Sequence, residues 1–325
     1  MFKTKTLLRT LGILIVVAVM LGALAGCGGK QSAEPQSQNK PAESSTGQAG
    51  QEKVVGVSLL TREHVFYNLI EESLKKKAEE LKFKPIIMDA SMDSNKQMSQ
   101  VQDFITQKVD AIVLAPTTTA GIAPAVDLAK KANIPVFTID IRAQGDVVSH
   151  VATDNYAGGK LAGKYIAENV LKGKGQVAVI TYSEVSSCVD REKGFKEALA
   201  AYPEIKLVDV QSYSGNAEKA ANITQDFLLK YPQLDAIFAV GDPAAVAAVS
   251  TIKAAGRQVK VVGFDGNPEA IEAIKQKGLW VADVAQHPEQ IGAKVIELIG
   301  DYFNGKTVPK EVLIPPSIID ASNVK

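Results

Sequence analysis

Residues able to do covalent chemistry are sparse. The chain has 3 histidines and 2 cysteines in 325 residues. His64, His150 and His287 lie too far apart in sequence for a metal-ligand spacing, and no Asp-rich calcium loop with a distal Glu is present. Cys188 lacks the surroundings of a thiol nucleophile, which needs a His base and an orienting group; it reads as a buried or loop thiol. There is no G-x-x-x-x-G-K-[ST] phosphate loop and no G-x-G-x-x-G after a strand. Lys172-Gly173-Lys174-Gly175 reads as a helix-ending turn. What remains is hydrogen-bonding chemistry. Asp140 and Asp265 close apolar runs, and Gln286 follows a third. Carboxylates and amides at such positions accept from and donate to vicinal hydroxyls. Taken singly, each serves equally well as a helix cap or turn residue. No catalytic activity, cofactor or metal is expected.

The elements that must position these residues alternate. Short apolar runs recur at Val54–Leu59, Pro85–Met88, Ala111–Ala115 and Val136–Asp140, separated by amphipathic stretches at Leu69–Leu81, Met98–Gln107 and Ile122–Ala132. Runs apolar throughout suit parallel strands buried on both faces, and the interleaved helices make βαβ units. The pattern then restarts, with strands expected at Val177–Thr181, Leu207–Gln211, Ala236–Val240, Val259–Phe264 and Val281–Val284, and helices from Asn155 to Lys277 between them. Asp242-Pro243 and Asn267-Pro268 look like helix starts with Pro at the first helical position. Gly158, Gly159 and Gly163 fall inside a helical pattern and predict close packing. His287–Phe303 is a last long helix, and Val312–Ile314 a final strand. Two α/β series follow, and ligands of open α/β sheets bind outside the carboxyl ends of the strands.

Composition narrows the class. Lys+Arg and Asp+Glu each total 36, without the basic excess of a nucleic-acid binder. The first 26 residues hold Lys3, Lys5 and Arg9 and no acid, followed from Leu11 to Leu24 by an apolar run too short to span a bilayer comfortably. This reads as an export signal; an uncleaved signal anchor is the rival. Leu24-Ala25-Gly26-Cys27 resembles the bacterial lipobox, which implies lipidation of Cys27 and attachment to the extracytoplasmic face of the cell membrane. Residues 28–52 contain no Val, Ile, Leu, Met or aromatic residue and form an expected flexible tether.

Several segments together resemble the ribose-binding members of the type I periplasmic sugar-binding family. They are Ile134-Pro135-Val136-Phe137-Thr138, the stretch Val147–Asn155, Val262-Gly263-Phe264-Asp265-Gly266 and Ala285–Gly292. The resemblance runs from about Val54 to Ser317. It implies an α/β fold of two similar Rossmann-like lobes, parallel sheets flanked by helices, joined by a three-segment hinge with ligand clamped between them. The lobes would be 53–153 plus 287–315 and 154–286 plus 316–325, after a signal peptide at 1–26 and a tether at 27–52. It implies a solute receptor of an ABC permease, monomeric, with no nucleic-acid partner. A sensory protein of the same fold, presenting its closed form to a chemoreceptor or sensor kinase, is the alternative.

Carried over residue by residue, the resemblance assigns ligand contacts to Phe66, Asp140, Asp265 and Gln286, and Asp242 is a further candidate. The family arginine after the first aspartate is Ile141 here, and Arg142 one step later is the candidate for the same contact. Glu63 and His64 stand where the family has amides; they either add contacts or lie on a solvated helix start. Arg191, in a preserved Arg-Glu-Lys-Gly-Phe element, is expected to support its helix rather than touch ligand. Val189 and Gly241 replace an arginine and an asparagine that would read hydroxyls. Gly215 stands near a family aromatic and is expected to open volume. The expected ligand is therefore a hexose, deoxy sugar, polyol or cyclitol rather than ribose.

Overall fold

In the computed structural model, residues 52–324 are described. Cys27, the signal peptide and the tether up to residue 51 lie outside the described residues.

The first series comprises β1 (Lys53–Leu59), α1 (Val65–Glu80), β2 (Phe83–Asp89), α2 (Ser94–Thr106), β3 (Ala111–Leu114), α3 (Ala123–Lys131), β4 (Val136–Ile139) and β5 (Ser149–Thr153). The second comprises α4 (Asn155–Tyr165), which runs into a π-helical turn at Ile166–Val170, then β6 (Lys174–Thr181), α5 (Ser186–Leu199), β7 (Glu204–Ser212), α6 (Ala217–Lys230), β8 (Ala236–Ala239), α7 (Asp242–Ala254), β9 (Lys260–Asp265), α8 (Pro268–Lys275) and β10 (Trp280–Ala285). The chain ends with α9 (Pro288–Phe303), β11 (Glu311–Ile314) and β12 (Ser317–Asp320).

Two six-stranded sheets result, in the orders β2-β1-β3-β4-β5-β11 and β7-β6-β8-β9-β10-β12. All pairings are parallel except β10 with β12. The central strands β3 and β8 are buried at every position, as parallel strands covered by helices on both faces must be. Phe137 lies in the core of the first sheet, and Phe195, Phe238 and Phe264 in that of the second. Phe195 and Phe238 stack with centroids 4.6 Å apart, an arrangement that adds roughly 0.5–1.5 kcal/mol beyond area burial.

The chain passes between the sheets three times. It leaves β5 for α4, which packs on α5; it leaves β10 for α9, which packs on α1; and it steps from β11 to β12 through Pro315-Pro316. The glycines in α4 do serve close packing. A Cβ at Gly159 would lie 2.0 Å from the Arg191 carbonyl oxygen, so α4 and α5 touch backbone to backbone there.

Two strands escaped the apolar-run criterion. β5 is Ser-His-Val-Ala-Thr, yet every residue is buried. β12 is a half-buried antiparallel edge strand. In both, sheet position rather than composition sets the burial. The expected cap at Asp242 is displaced by one residue: Gly241 caps α7, and Asp242 is its first residue.

Candidate functional site

The strand order of each sheet reverses beside β1 and β6, and a crevice opens at the carboxyl ends of the strands. Between the two series lies a cavity of about 350 Å³, lined by the segment after β1, the end of β4 and the ends of β6, β8, β9 and β10.

From the first sheet come the start of α1 and the residue after β4. His64 caps α1, its Nδ1 accepting from Phe66 N at 3.2 Å. The helix then sets Phe66 and Tyr67 side by side, both buried, with rings edge to face and centroids 5.2 Å apart. The Tyr67 hydroxyl donates to Asp140 Oδ2 at 2.6 Å, while Asp140 Oδ1 is buried with no protein partner. Asp140 has φ +59°, a left-handed conformation that Asp tolerates better than most residues. Burial raises its pKa, against the charge of Arg191 and the Tyr67 bond.

The second sheet supplies a denser network. Asp265 ends β9 with φ +133°, a region that costs a non-glycine residue on the order of 1–3 kcal/mol. Four donors converge on it. Oδ1 accepts from Arg191 Nη1 at 3.1 Å and Gln286 Nε2 at 2.7 Å, and Oδ2 from Asp242 N at 3.1 Å and His64 Nε2 at 3.2 Å. Burial works to raise its pKa, but the His64 bond and the Arg191 charge outweigh it and hold the group below its ordinary value. For His64, burial favours the neutral ring; the bond to Asp265 together with the charges of Asp265 and Asp140 outweighs this and raises its pKa. Arg191 is fixed further by Asn155 Oδ1 at 2.8 Å and the Val240 carbonyl at 2.6 Å, and lies over the Phe264 ring at 3.7 Å. Thr153 Oγ1 donates to Gln286 Oε1 at 2.6 Å, which fixes the amide's orientation toward Asp265.

Behind this layer, Asp242 and Asp283 share a hydrogen bond. Burial, and then the charges of Asp283 and Asp265, push Asp242 well above the carboxylate range. Burial pushes Asp283 up to about 7. The pair holds a proton between its oxygens near neutrality. Asp242 Oδ2 accepts from Asn267 N, and Asp283 accepts from Gly266 N and Trp280 Nε1.

Glu63, His64, Phe66, Asp140, Asp242, Asp265 and Gln286 all line the cavity. Arg142 is not among the lining residues. Its guanidinium binds Glu311 at 2.7 Å in the first sheet and Asp190 at 2.5 Å on α5, so it ties the two series together beside the crevice. His64 is not a solvated helix start, since it reaches Asp265. Arg191 lines the cavity as well as bracing its helix. The volume expected from Gly215 is filled: a Cβ there would lie 2.5 Å from Met92 Cε and 3.3 Å from Tyr182. Among the described residues no cluster of three or more His, Cys, Asp or Glu is placed to hold a metal.

Comparison with known proteins agrees with this architecture. Residues 55–307 match the family described as Periplasmic binding protein domain. The chain belongs to the periplasmic binding protein family. It is 34% identical to the ribose import binding protein of Bacillus subtilis over 302 residues, covering 93% of this chain and 96% of that one. Among solved structures, the Caulobacter myo-inositol binding protein bound to myo-inositol superposes with TM-score 0.78 and 30% identity, over 85% of this chain and 95% of that one. A periplasmic solute binding protein of an ABC transporter from Actinobacillus succinogenes with bound D-allose gives TM-score 0.77 and 28% identity, over 84% and 99%.

In this periplasmic binding protein, inspection of the sequence missed Tyr67, Tyr182 and Tyr213 at the cavity and Asp283 behind it. Tyr67 follows Phe66 directly at a helix start, which was the available signal. The other three are brought in by strand ends far away in sequence.

Proposed function

We propose that this protein is an extracytoplasmic receptor that binds a sugar or polyol between two lobes and delivers it to an ABC permease. The observation that carries the reading is the convergence of a strained aspartate from each sheet on one cavity. Asp140 and Asp265 have φ of +59° and +133°, and both line it beside Phe66 and Tyr67. Strain of this kind persists where function requires it. Aromatic faces supply apolar area to a sugar ring while its edge keeps its hydrogen bonds. The ligands of these relatives, ribose, D-allose and myo-inositol, are all polyhydroxylated.

The lobes in this reading are 53–153 plus 287–315 and 154–286 plus 316–325. It is supported by β11 joining the first sheet, β12 the second, and α9 packing on α1. Closure is a hinge motion about the three crossings. Contacts across the crevice, such as Thr119 N to the Glu184 carbonyl at 3.3 Å and Ser186 N to Thr119 Oγ1 at 3.0 Å, belong to the closed form. The sequence around Cys27 supports a lipid anchor, checked by mass spectrometry of the membrane-extracted protein.

The test is thermal unfolding against pentoses, hexoses, polyols and cyclitols. A ligand at 100 times its Kd stabilises by about 2.7 kcal/mol, or roughly 5–10 °C for a chain of this size. The shift should vanish in Asp140→Ala. No shift across the panel defeats the carbohydrate reading.

A further inference from the structure

Three aspartates around one cavity look like abundant acceptor capacity for hydroxyls, but the hydrogen bonds already made reduce it sharply. Asp265 receives four protein donors, two on each oxygen, which fills the roughly four lone-pair sites of a carboxylate. Asp242 is held by Asn267 N and Asp283. Asp140 and Asp242 each keep a buried oxygen, Oδ1, with no hydrogen-bond partner, but the Asp242 carboxyl is paired with Asp283, whereas Asp140 Oδ1 has no neighbouring carboxyl to share a proton with. The other Asp140 oxygen accepts from the Tyr67 hydroxyl at 2.6 Å, the shortest bond to any of the three. On the opposite wall Tyr182 and Tyr213 offer hydroxyls without a protein hydrogen bond among the described residues.

We propose that Tyr67 sets the specificity of the cleft: by donating to Oδ2 of Asp140 it takes one of that oxygen's two acceptor sites and makes Oδ1, with both sites open, the oxygen that reads a ligand hydroxyl in preference, where a carboxylate without Tyr67 would read an adjacent pair through both oxygens. This rests on the reading of the cleft as a sugar or polyol site and narrows its ligand class. The ligand presents a single essential donor at the Asp140 end, and the neighbouring position needs none, as in a deoxy sugar. Hydroxyls on the far side of the ring act as acceptors for the tyrosines. Tyr67 is a positioning residue here, acting on the ligand through Asp140.

The experiment is calorimetric titration of the intact protein with D-ribose, D-allose and myo-inositol, followed by the monodeoxy derivatives of whichever binds tightest. In the wild type, deletion of one hydroxyl at the Asp140 end should weaken binding about tenfold or more, and deletion of its neighbour should change it little. In Tyr67→Phe, Oδ2 is free, and deletion of that neighbour should now also cost about tenfold relative to the parent sugar. The same deoxy profile in wild type and Tyr67→Phe overturns the inference alone. If Tyr67→Phe does not fold, the wild-type scan decides: two adjacent hydroxyls of equal importance, both lost in Asp140→Asn, overturn it, and one such hydroxyl upholds it. Absence of binding by all three polyols overturns the reading of the cleft and this inference with it.

Discussion

At the residue scale, the aspartates differ by environment rather than by type. Asp265 is ionised and surrounded by donors, Asp140 is half-satisfied, and Asp242 shares a proton with Asp283. The last pair has a consequence for stability. Both groups have pKa values raised above the ordinary 3.8, Asp283 to about 7. The folded state therefore holds a proton that the unfolded chain has released. The Asp283 share of this contribution is full below about pH 4 and is lost as pH rises through about 7, at up to roughly 1.4 kcal/mol per pH unit for one proton. Asp242→Asn replaces the shared proton with an amide donor to Asp283 and keeps an acceptor for Asn267 N. Its unfolding temperature should fall less between pH 5 and pH 8 than that of the wild type. Parallel curves from the two proteins would show that the pair does not titrate as described.

At the element scale, Arg142 couples the end of the first sheet to α5. Its link to Glu311 stays within the first sheet, while its link to Asp190 crosses the crevice. Opening must break the second and can keep the first. The Arg142 and Asp190 side chains are 37% and 30% exposed, so solvent screens the pair and its worth is about 0–1 kcal/mol. Asp190→Asn should weaken ligand binding about two- to fivefold through a faster dissociation rate. The difference should disappear at high salt. Glu311→Gln should leave dissociation nearly unchanged. Stopped-flow dissociation at two ionic strengths checks this, and equal effects of the two variants would remove the clasp from closure.

Across the whole molecule, His64 touches Asp265 and Thr119 touches Glu184 and Ser186, contacts that the proposed function assigns to the closed form. Solution scattering of the protein saturated with its ligand should match this structure. The ligand-free protein should have a larger radius of gyration, because water in an open cleft replaces these few polar contacts. A ligand-free profile already matching this structure would mean that closure does not depend on ligand.

What the sequence by itself determined is the alternating α/β order, because apolar runs and amphipathic spacing report local burial directly. Val54–Leu59 and Ala236–Val240 were legible for that reason. Asp140, Asp265 and Gln286 were legible as residues facing the crevice, which they line, because strand ends in such folds face it and because the surrounding motifs resemble a known family. β5 and β12 were not, since Ser-His-Val-Ala-Thr is buried by its neighbours and not by its own composition. Only the tertiary structure decided which side chains meet across sequence distance. Arg142 meets Asp190 and Glu311, 48 and 169 residues away, only in the folded chain. Gly215 looked like open space until Met92 filled it from the other sheet. Tyr67 acquired a role only when Asp140, 73 residues away, was brought within hydrogen-bond reach. Local pattern encodes burial, whereas hydrogen-bond partners depend on the relative placement of two sheets that no short stretch of chain specifies.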